Sequence, residues 1–237
     1  MKRMIMTAMA ALICCMPTLA QDRNENDTKK KIEGSGNVIT KEYPVGSFSE
    51  IDASGVFNLV LIQGSKEGVK VEADDNLQEL FDIGNEGSKL RVKMKKDANF
   101  NSKTKMKVYV TFRQVGTLDL KMVGGTSNEG QLSFDNLSIN NKCVGNITLN
   151  LAAKTLEVDN KGVGDMKLTG KADEATIVAK SVGSISAADF IVQKMNIENS
   201  GVGSAEVNAA KELTVKDSFL GKVRNRGAAA VKKAVRI

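Results

Sequence analysis

The stretch VDNKGVGDMKLTG (residues 158–170) decides the fold of this chain. Two glycines flank a valine, and apolar residues alternate with polar ones on both sides. Alternation with a period of two on either side of a glycine turn predicts strand, bend and strand. A phosphate-binding loop would instead lead into a helix and carry a Lys-Ser/Thr pair, and neither follows here. The glycines therefore favour a backbone turn.

The same pattern recurs through the second half of the chain. Apolar residues that begin the segments, such as Leu137 and Leu156, stand eight residues before a glycine, and the last five glycines are 19, 19, 20 and 18 residues apart. A period near 20 residues is typical of solenoids, in which each coil completes its core only by stacking. The first copy is irregular, with seven residues between its leucine and its glycine. The predicted turn glycines are Gly125, Gly145, Gly164, Gly183, Gly203 and Gly221.

The first twenty residues are typical of an export signal. Lys2 and Arg3 precede an apolar run, and small residues before position 21 predict cleavage after Ala20. Lipidation at Cys14 or Cys15 is the alternative, although neither follows a small residue. The predicted organisation is signal peptide 1–20, flexible leader 21–33, N-terminal β-rich region 34–115, β-solenoid repeats 116–221, and basic C-terminal tail or cap 222–237.

Composition excludes several classes of function. The chain has no histidine, which removes the commonest general base and metal ligand, so any catalysis would have to rest on carboxylates, Lys, Tyr or a bound cofactor. No motif in the sequence indicates a cofactor or a metal, and we expect neither. After signal removal Cys143 is the only cysteine, and we expect a buried thiol without a disulfide. The net charge of +6 comes largely from the signal and from the last sixteen residues, which carry six basic residues and no acid. This distribution is not that of a nucleic-acid-binding fold.

The stretch GSGNVITKEYPVGSFSEIDASGVFNLVLIQG (residues 34–64), followed by repeated SGVG-type motifs, resembles the family described as putative auto-transporter adhesin, head GIN domain. The resemblance covers residues 34–221. It implies an exported protein with a right-handed β-solenoid, and the family's name suggests adhesion. The predicted fold class is all-β, a right-handed parallel β-helix with coils of about 19–20 residues after an N-terminal β-rich region.

Polar residues recur four positions before the turn glycines. Stacked repeats would align them into a ladder of amides that bond one another and the turn backbone. A carboxylate site for sugar cleavage or Ca²⁺ is the alternative, which the predominance of amides disfavours. The valines before the glycines, Val144, Val163, Val182 and Val202 with Leu220, are predicted to point inward. The ladder comprises Asn141, Asn160, Asn199 and Asp217, with Ala179 interrupting it.

Cationic side chains alternate with apolar ones in KLRVKMKK (residues 89–96). A solvated edge protected by lysine is one interpretation, and a surface for an anionic glycan or lipid headgroup is the other. The row comprises Lys89, Arg91, Lys93 and Lys95. The basic tail is interpreted as a cap on the last coil in preference to a membrane-binding helix.

These features predict an exported, non-enzymatic β-solenoid, an adhesin or envelope-binding protein that recognises carbohydrate or a surface protein. Its expected location is the periplasm, the outer membrane or the exterior, with no transmembrane span. One alternative is a polysaccharide-active β-helix enzyme that uses Asp165 or Asp217. Another is an envelope protein that forms oligomers through exposed strand edges.

Overall fold

A computed structural model describes residues 31–95, 99–218 and 220–234. The predicted signal peptide and most of the predicted leader lie outside these residues. The all-β class predicted from the sequence is confirmed, because the described chain is built of strands with a single 3-10 helix, Asp75–Leu80. No helix among the described residues is long and apolar enough to cross a bilayer.

The strands are numbered β1 to β18 in chain order. The first nine are β1 (Ile32–Glu33), β2 (Val38–Tyr43), β3 (Glu50–Val56), β4 (Asn58–Gln63), β5 (Gly68–Asp74), β6 (Phe81–Glu86), β7 (Lys89–Met94), β8 (Phe100–Asn101) and β9 (Lys107–Phe112). The other nine are β10 (Thr117–Val123), β11 (Thr126–Glu129), β12 (Leu132–Asn141), β13 (Ile147–Asn160), β14 (Met166–Ala179), β15 (Ile185–Asn199), β16 (Ala205–Asp217), β17 (Val223–Asn225) and β18 (Val231–Lys233).

The sequence repeats stack in parallel. Strands β12 to β16 each pair with the next, and equivalent residues of successive repeats are register partners. One column of partners is Leu137, Leu156, Ala175, Met195 and Leu213, all buried. Single parallel bridges between the corner valines continue the pairing through the turns. Each repeat therefore places its inward apolar residues on those of its neighbours, which builds one continuous core.

The sheet continues into the N-terminal region. Strand β10 pairs in parallel with β3, and β11 with β4, so β3 and β4 form one further layer beside the first repeat. On their other side β3 pairs with β7 and β4 pairs with β9. Strands β2, β5 and β6 join antiparallel at the outer edges. The stacking order thus departs from chain order. Strand β3 lies between β7 and β10, and strand β4 lies between β9 and β11.

The C-terminal segment covers part of the last long strand. Strands β17 and β18 both pair in parallel with β16. The Asn225 side-chain amide donates a hydrogen bond of 2.9 Å to the Ala229 carbonyl, which ties the connection between them together. The described part of the tail is extended rather than helical, and its strands occupy an edge that would otherwise be open.

Candidate functional site

The repeats turn at glycines whose conformation and packing both exclude a side chain. Gly145, Gly164, Gly183 and Gly203 have φ between 132° and 150°. A Cβ on Gly164 would lie 2.4 Å from the Gly145 carbonyl oxygen, so the stacked corners approach too closely for any larger residue. These glycines serve the turn, and they line no cradle for a ligand.

Two of the predicted turn glycines behave differently. In the first repeat it is Gly124 that has the positive φ of 144°, while Gly125 donates its N–H to the Asn58 Oδ1 atom at 2.8 Å. Register explains the irregular spacing in the sequence. Thr117 pairs with Ser138, so Gly116 is the equivalent of Leu137 and the interval of eight residues ends at Gly124. Gly221 does not adopt a positive φ.

The prediction that the corner valines point inward is wrong. Val144 is 53% exposed, and the equivalent residues are similarly exposed. The residue before each valine occupies the interior instead, as Cys143 and Ser181 do. Because side chains alternate across an extended backbone, the valine then faces solvent.

The predicted polar ladder is buried in its first part. Asn141 Nδ2 donates to Asn160 Oδ1 at 2.7 Å, and Asn160 Nδ2 donates to Ser181 Oγ at 3.1 Å. The register partner of Asn160 is Ala179, so Ser181, two residues later, provides the polar group in this repeat. Asn199 bonds the Gly203 carbonyl of its own corner, and Asp217 lies 3.7 Å from Lys233 Nζ. Buried amides that are bonded to one another hold the corners together and leave few groups for a ligand.

Asp165 and Asp217, either of which the alternative enzyme hypothesis would use, are not brought together. Asp165 Oδ1 accepts the Ser184 N–H at 2.8 Å, and Asp217 is the register partner of Asn199. Three repeats separate their corners, which corresponds to at least about 14 Å at the usual strand spacing. Paired carboxylates of glycosidases are separated by at most about 9.5 Å. These two residues therefore cannot act on one glycosidic bond.

Cys143 is buried and chemically quiet. Burial raises the pKa of its thiol, and the Met122 N–H donates to its Sγ atom at 3.3 Å. A nucleophilic cysteine needs an accessible thiolate and a lowered pKa. The residue fills a corner of the core, where Gly162 and Gly201 stand in other repeats.

The cationic row on β7 is largely neutralised. Lys89 Nζ lies 3.3 Å from Glu50, Lys93 Nζ lies 2.9 Å from Asp52, and Arg91 pairs with Asp82 and Glu86. The hydrogen bond to Glu50 raises the pKa of Lys89. Lys95 is exposed and has no ion-pair partner within the described ranges. A surface cavity of about 570 Å³ beside this row is lined by both its cations and its acids.

A polar trough crosses four repeats on the outer surface. It consists of two columns that flank the buried leading residue of each repeat, and it encloses about 250 Å³. Lys194 Nζ stands between Glu174 and Glu212, at 4.0 and 3.9 Å. The columns are Thr155, Glu174, Lys194 and Glu212, and Glu157, Thr176, Asn196 and Thr214.

Sequence reasoning missed this trough, although the signal was present. The residues directly before and after each leading apolar residue are polar in every one of these repeats. Aligning the outward positions as well as the glycines would have placed them side by side. Among the described residues, no cluster of three or more metal-ligating side chains accompanies them.

Comparison with known proteins agrees with this architecture. The family model for "putative auto-transporter adhesin, head GIN domain" matches residues 47–229. A crystal structure of a putative adhesin from Bacteroides fragilis is 28% identical, with 86% of this chain and 100% of that chain covered and a TM-score of 0.75. No curated protein matches.

Two structures from Parabacteroides distasonis share the fold at lower identity. One, named a putative lipid binding protein, is 21% identical with a TM-score of 0.68, and 86% of this chain and 95% of that chain are covered. The other, a putative adhesin, is 22% identical with a TM-score of 0.65, and the coverage is 86% and 96%. The family model confirms the resemblance read from the sequence. This chain belongs to the family described as putative auto-transporter adhesin, head GIN domain.

Proposed function

We propose that this chain is an exported, non-enzymatic adhesin of the cell envelope, which binds carbohydrate or protein on a surface through the outer face of its repeats. The observation that carries this proposal is the polar trough, which is lined by residues of four successive repeats. A binding surface that continues from strand to strand along the stack of repeats fits an extended partner.

The proposal includes a right-handed parallel β-solenoid. The support for it is the parallel, near-constant register between repeats of 18 to 20 residues. In such a fold each outward position becomes a column. A linear glycan that lay along the stack would meet a polar side chain at these outward positions in each repeat of the trough.

The chemistry of the trough suits sugar hydroxyl groups. Threonine hydroxyls and the Asn196 amide donate and accept hydrogen bonds, and the glutamates accept them. Lys194 stands between its two glutamates, so the three groups together carry a net charge of −1 and offer directional hydrogen-bonding contacts. The trough has no aromatic platform, so we expect modest affinity per repeat and a gain from the number of repeats in contact.

Three observations favour binding over cleavage. Glu174 and Glu212 are about 60% exposed and share one lysine, whereas the general acid of a glycosidase is kept protonated by burial. The described residues also contain no histidine and no cluster suited to a metal. The similar proteins named above are called adhesins or a lipid-binding protein, and none of these names denotes a catalyst.

The test is binding of the full chain to a panel of bacterial and host glycans. We expect retention of one class of extended glycan, reduced by Lys194→Met and by the double variant E174Q/E212Q, which keep side-chain size. Lys171→Met, an exposed lysine outside the trough, is the matched control. Equal binding by all variants would remove the trough from the proposal.

The same samples distinguish the other candidates. Release of reducing ends by the wild type, lost in E174Q, would assign polysaccharide cleavage. Growth of assemblies with protein concentration in the absence of glycan, measured by light scattering, would assign self-association through strand edges.

A further inference from the structure

Apolar side chains form a continuous exposed column along the corners. Parallel bridges join the valines of successive repeats, Val56 pairs with Val123 at one end, and Leu220 adjoins the other through its carbonyl. We call this column the valine ridge. Its members are Val56, Val123, Val144, Val163, Val182, Val202 and Leu220, each between 44% and 61% exposed.

The fold does not require apolar residues here. The outward position two residues earlier is polar in every repeat, although it lies in the same backbone ladder. Seven side chains at the usual strand spacing make a stripe about 29 Å long. A contiguous exposed apolar surface of this kind typically marks an interaction site.

A cationic column accompanies the ridge. Two residues before four successive valines stand Lys121, Lys142, Lys161 and Lys180, all exposed. Within the described residues Lys142 and Lys180 have no ion-pair partner, whereas Lys161 pairs with Asp159 and Lys121 lies 3.9 Å from Asp52. On the opposite side of the ridge, the residues after the corner glycines include one acid, Asp165.

We propose that the valine ridge and its lysine column form a docking surface for a membrane that carries anionic headgroups. The valines enter the boundary between headgroups and acyl chains, and the lysines extend their alkyl stems beside them to reach anionic headgroup oxygens. The proposal goes beyond glycan binding. Glu157 in the trough precedes Val163 by six residues, about 20 Å of extended chain, so the trough stays free when the ridge is docked.

Shape and charge favour a membrane over another protein. The ridge is one side chain wide, whereas a stable protein interface buries about 800 Å² on each partner. Lipid headgroups are mobile and can rearrange to surround a ridge of this width. A second copy docked ridge to ridge with the two stacks antiparallel would bring two lysine columns together, which like charge opposes.

The experiment measures co-sedimentation with vesicles of phosphatidylcholine, with and without phosphatidylglycerol. The purified chain's N-terminus is determined by mass spectrometry, because a retained apolar segment 4–16 would bind vesicles by itself. We expect binding to the anionic vesicles, weakened at about 0.5 M NaCl by screening. The double variant K142S/K180S should bind about 25-fold more weakly, since each lysine near an anionic surface contributes roughly a factor of five.

A second variant separates apolar contact from shape. V163T/V182T keeps the β-branched outline and replaces two methyl groups with hydroxyls, and we expect a loss of about tenfold or more. The control K66S/K171S removes the same charge from other exposed positions and should retain binding. Circular dichroism and thermal melting verify the fold of each variant. If V163T/V182T is unfolded, the vesicle binding of K142S/K180S alone decides whether the proposal holds.

Three outcomes overturn the proposal. The first is equal binding to neutral and anionic vesicles, and the second is unchanged binding in both K142S/K180S and V163T/V182T. The third is a wild type that is dimeric by light scattering, together with a V163T/V182T variant that is monomeric and binds vesicles as the wild type does. This result would assign the ridge to a second copy of this chain.

Discussion

Asn141 donates its side-chain amide to the amide oxygen of Asn160, its register partner in the next repeat, at 2.7 Å, and both side chains are buried. Each amide oxygen also accepts the backbone N–H two residues further on, from Cys143 and Gly162 respectively. One side chain therefore joins two repeats and closes its own corner. The corners are held from inside by amides, while valines cover them outside.

Replacing Asn160 with alanine should destabilise the protein. The change leaves the Asn141 amide, the Gly162 N–H and the Ser181 hydroxyl without a partner in a buried site. We expect a loss of about 1–3 kcal/mol in the free energy of unfolding, measured by urea denaturation. Asn196→Ala, which removes an exposed amide from the trough, is the matched control and should stay within about 0.5 kcal/mol. Equal effects of the two changes would contradict a structural role for the ladder.

The ladder also shows what the sequence could predict. Equal spacing before the turn glycines aligned Asn141 with Asn160, because parallel stacking preserves position within a repeat. Ser181 could not be predicted in this way. It stands two residues after the register position, Ala179. Both positions face the interior of the corner, so the Ser181 Oγ atom can accept the hydrogen bond from Asn160 Nδ2.

The outward orientation of the valines was not predicted, although the sequence pattern contains it. Side chains alternate without interruption from Asn160 to Val163, which precedes the glycine with positive φ, so a strict period of two places the valine outward. The trough was missed because the search centred on glycine and asparagine, whereas it is formed by unlike residues, Thr155, Glu174 and Lys194 among them. Likewise, nothing in the local pattern indicated that β3 and β4 stack beside the first repeat.

Substitution of a corner glycine should be far more costly than its surface position suggests. In Gly164→Ala the new Cβ would meet the Gly145 carbonyl oxygen, and the backbone has a φ of 132°. We expect a loss of at least about 2 kcal/mol, measured as a shift of the urea midpoint. The control is Gly68→Ala, where a Cβ would meet no atom within 4 Å. A neutral Gly164→Ala would show that the corners can separate.

Acid should weaken the N-terminal layer through Glu72. Hydrogen bonds from Lys107 Nζ at 2.9 Å and from the Tyr109 hydroxyl at 3.1 Å lower the pKa of this carboxyl below 4.5, although burial opposes them. A carboxyl whose pKa is lower in the folded state stabilises the fold above its unfolded pKa. That contribution is lost as pH falls through the folded value.

Glu72→Gln should therefore be less stable than the wild type at neutral pH, with a difference that narrows as pH falls from about 5 to about 3. Urea midpoints across this range provide the measurement. Glu79→Gln is the control, because Glu79 is exposed and forms no ion pair among the residues the structure describes. Parallel profiles for the wild type and Glu72→Gln would refute the assignment.

If the chain is cut between Val115 and Gly116, we expect neither half to keep its stable fold. The sequence nevertheless predicts a boundary between two regions at this point. The seven residues of β10 pair with β3, and β11 pairs with β4, so the cut leaves two long parallel edges open. Open edges of this kind promote aggregation, and each half loses one side of its core.

We expect the full chain to unfold in urea in one transition that circular dichroism and intrinsic tyrosine fluorescence report together. Fragments 31–115 and 116–234 should each aggregate or unfold at lower urea. A monomeric 116–234 fragment with the midpoint of the full chain would instead show that the repeats fold alone, with β3 and β4 as an accessory layer.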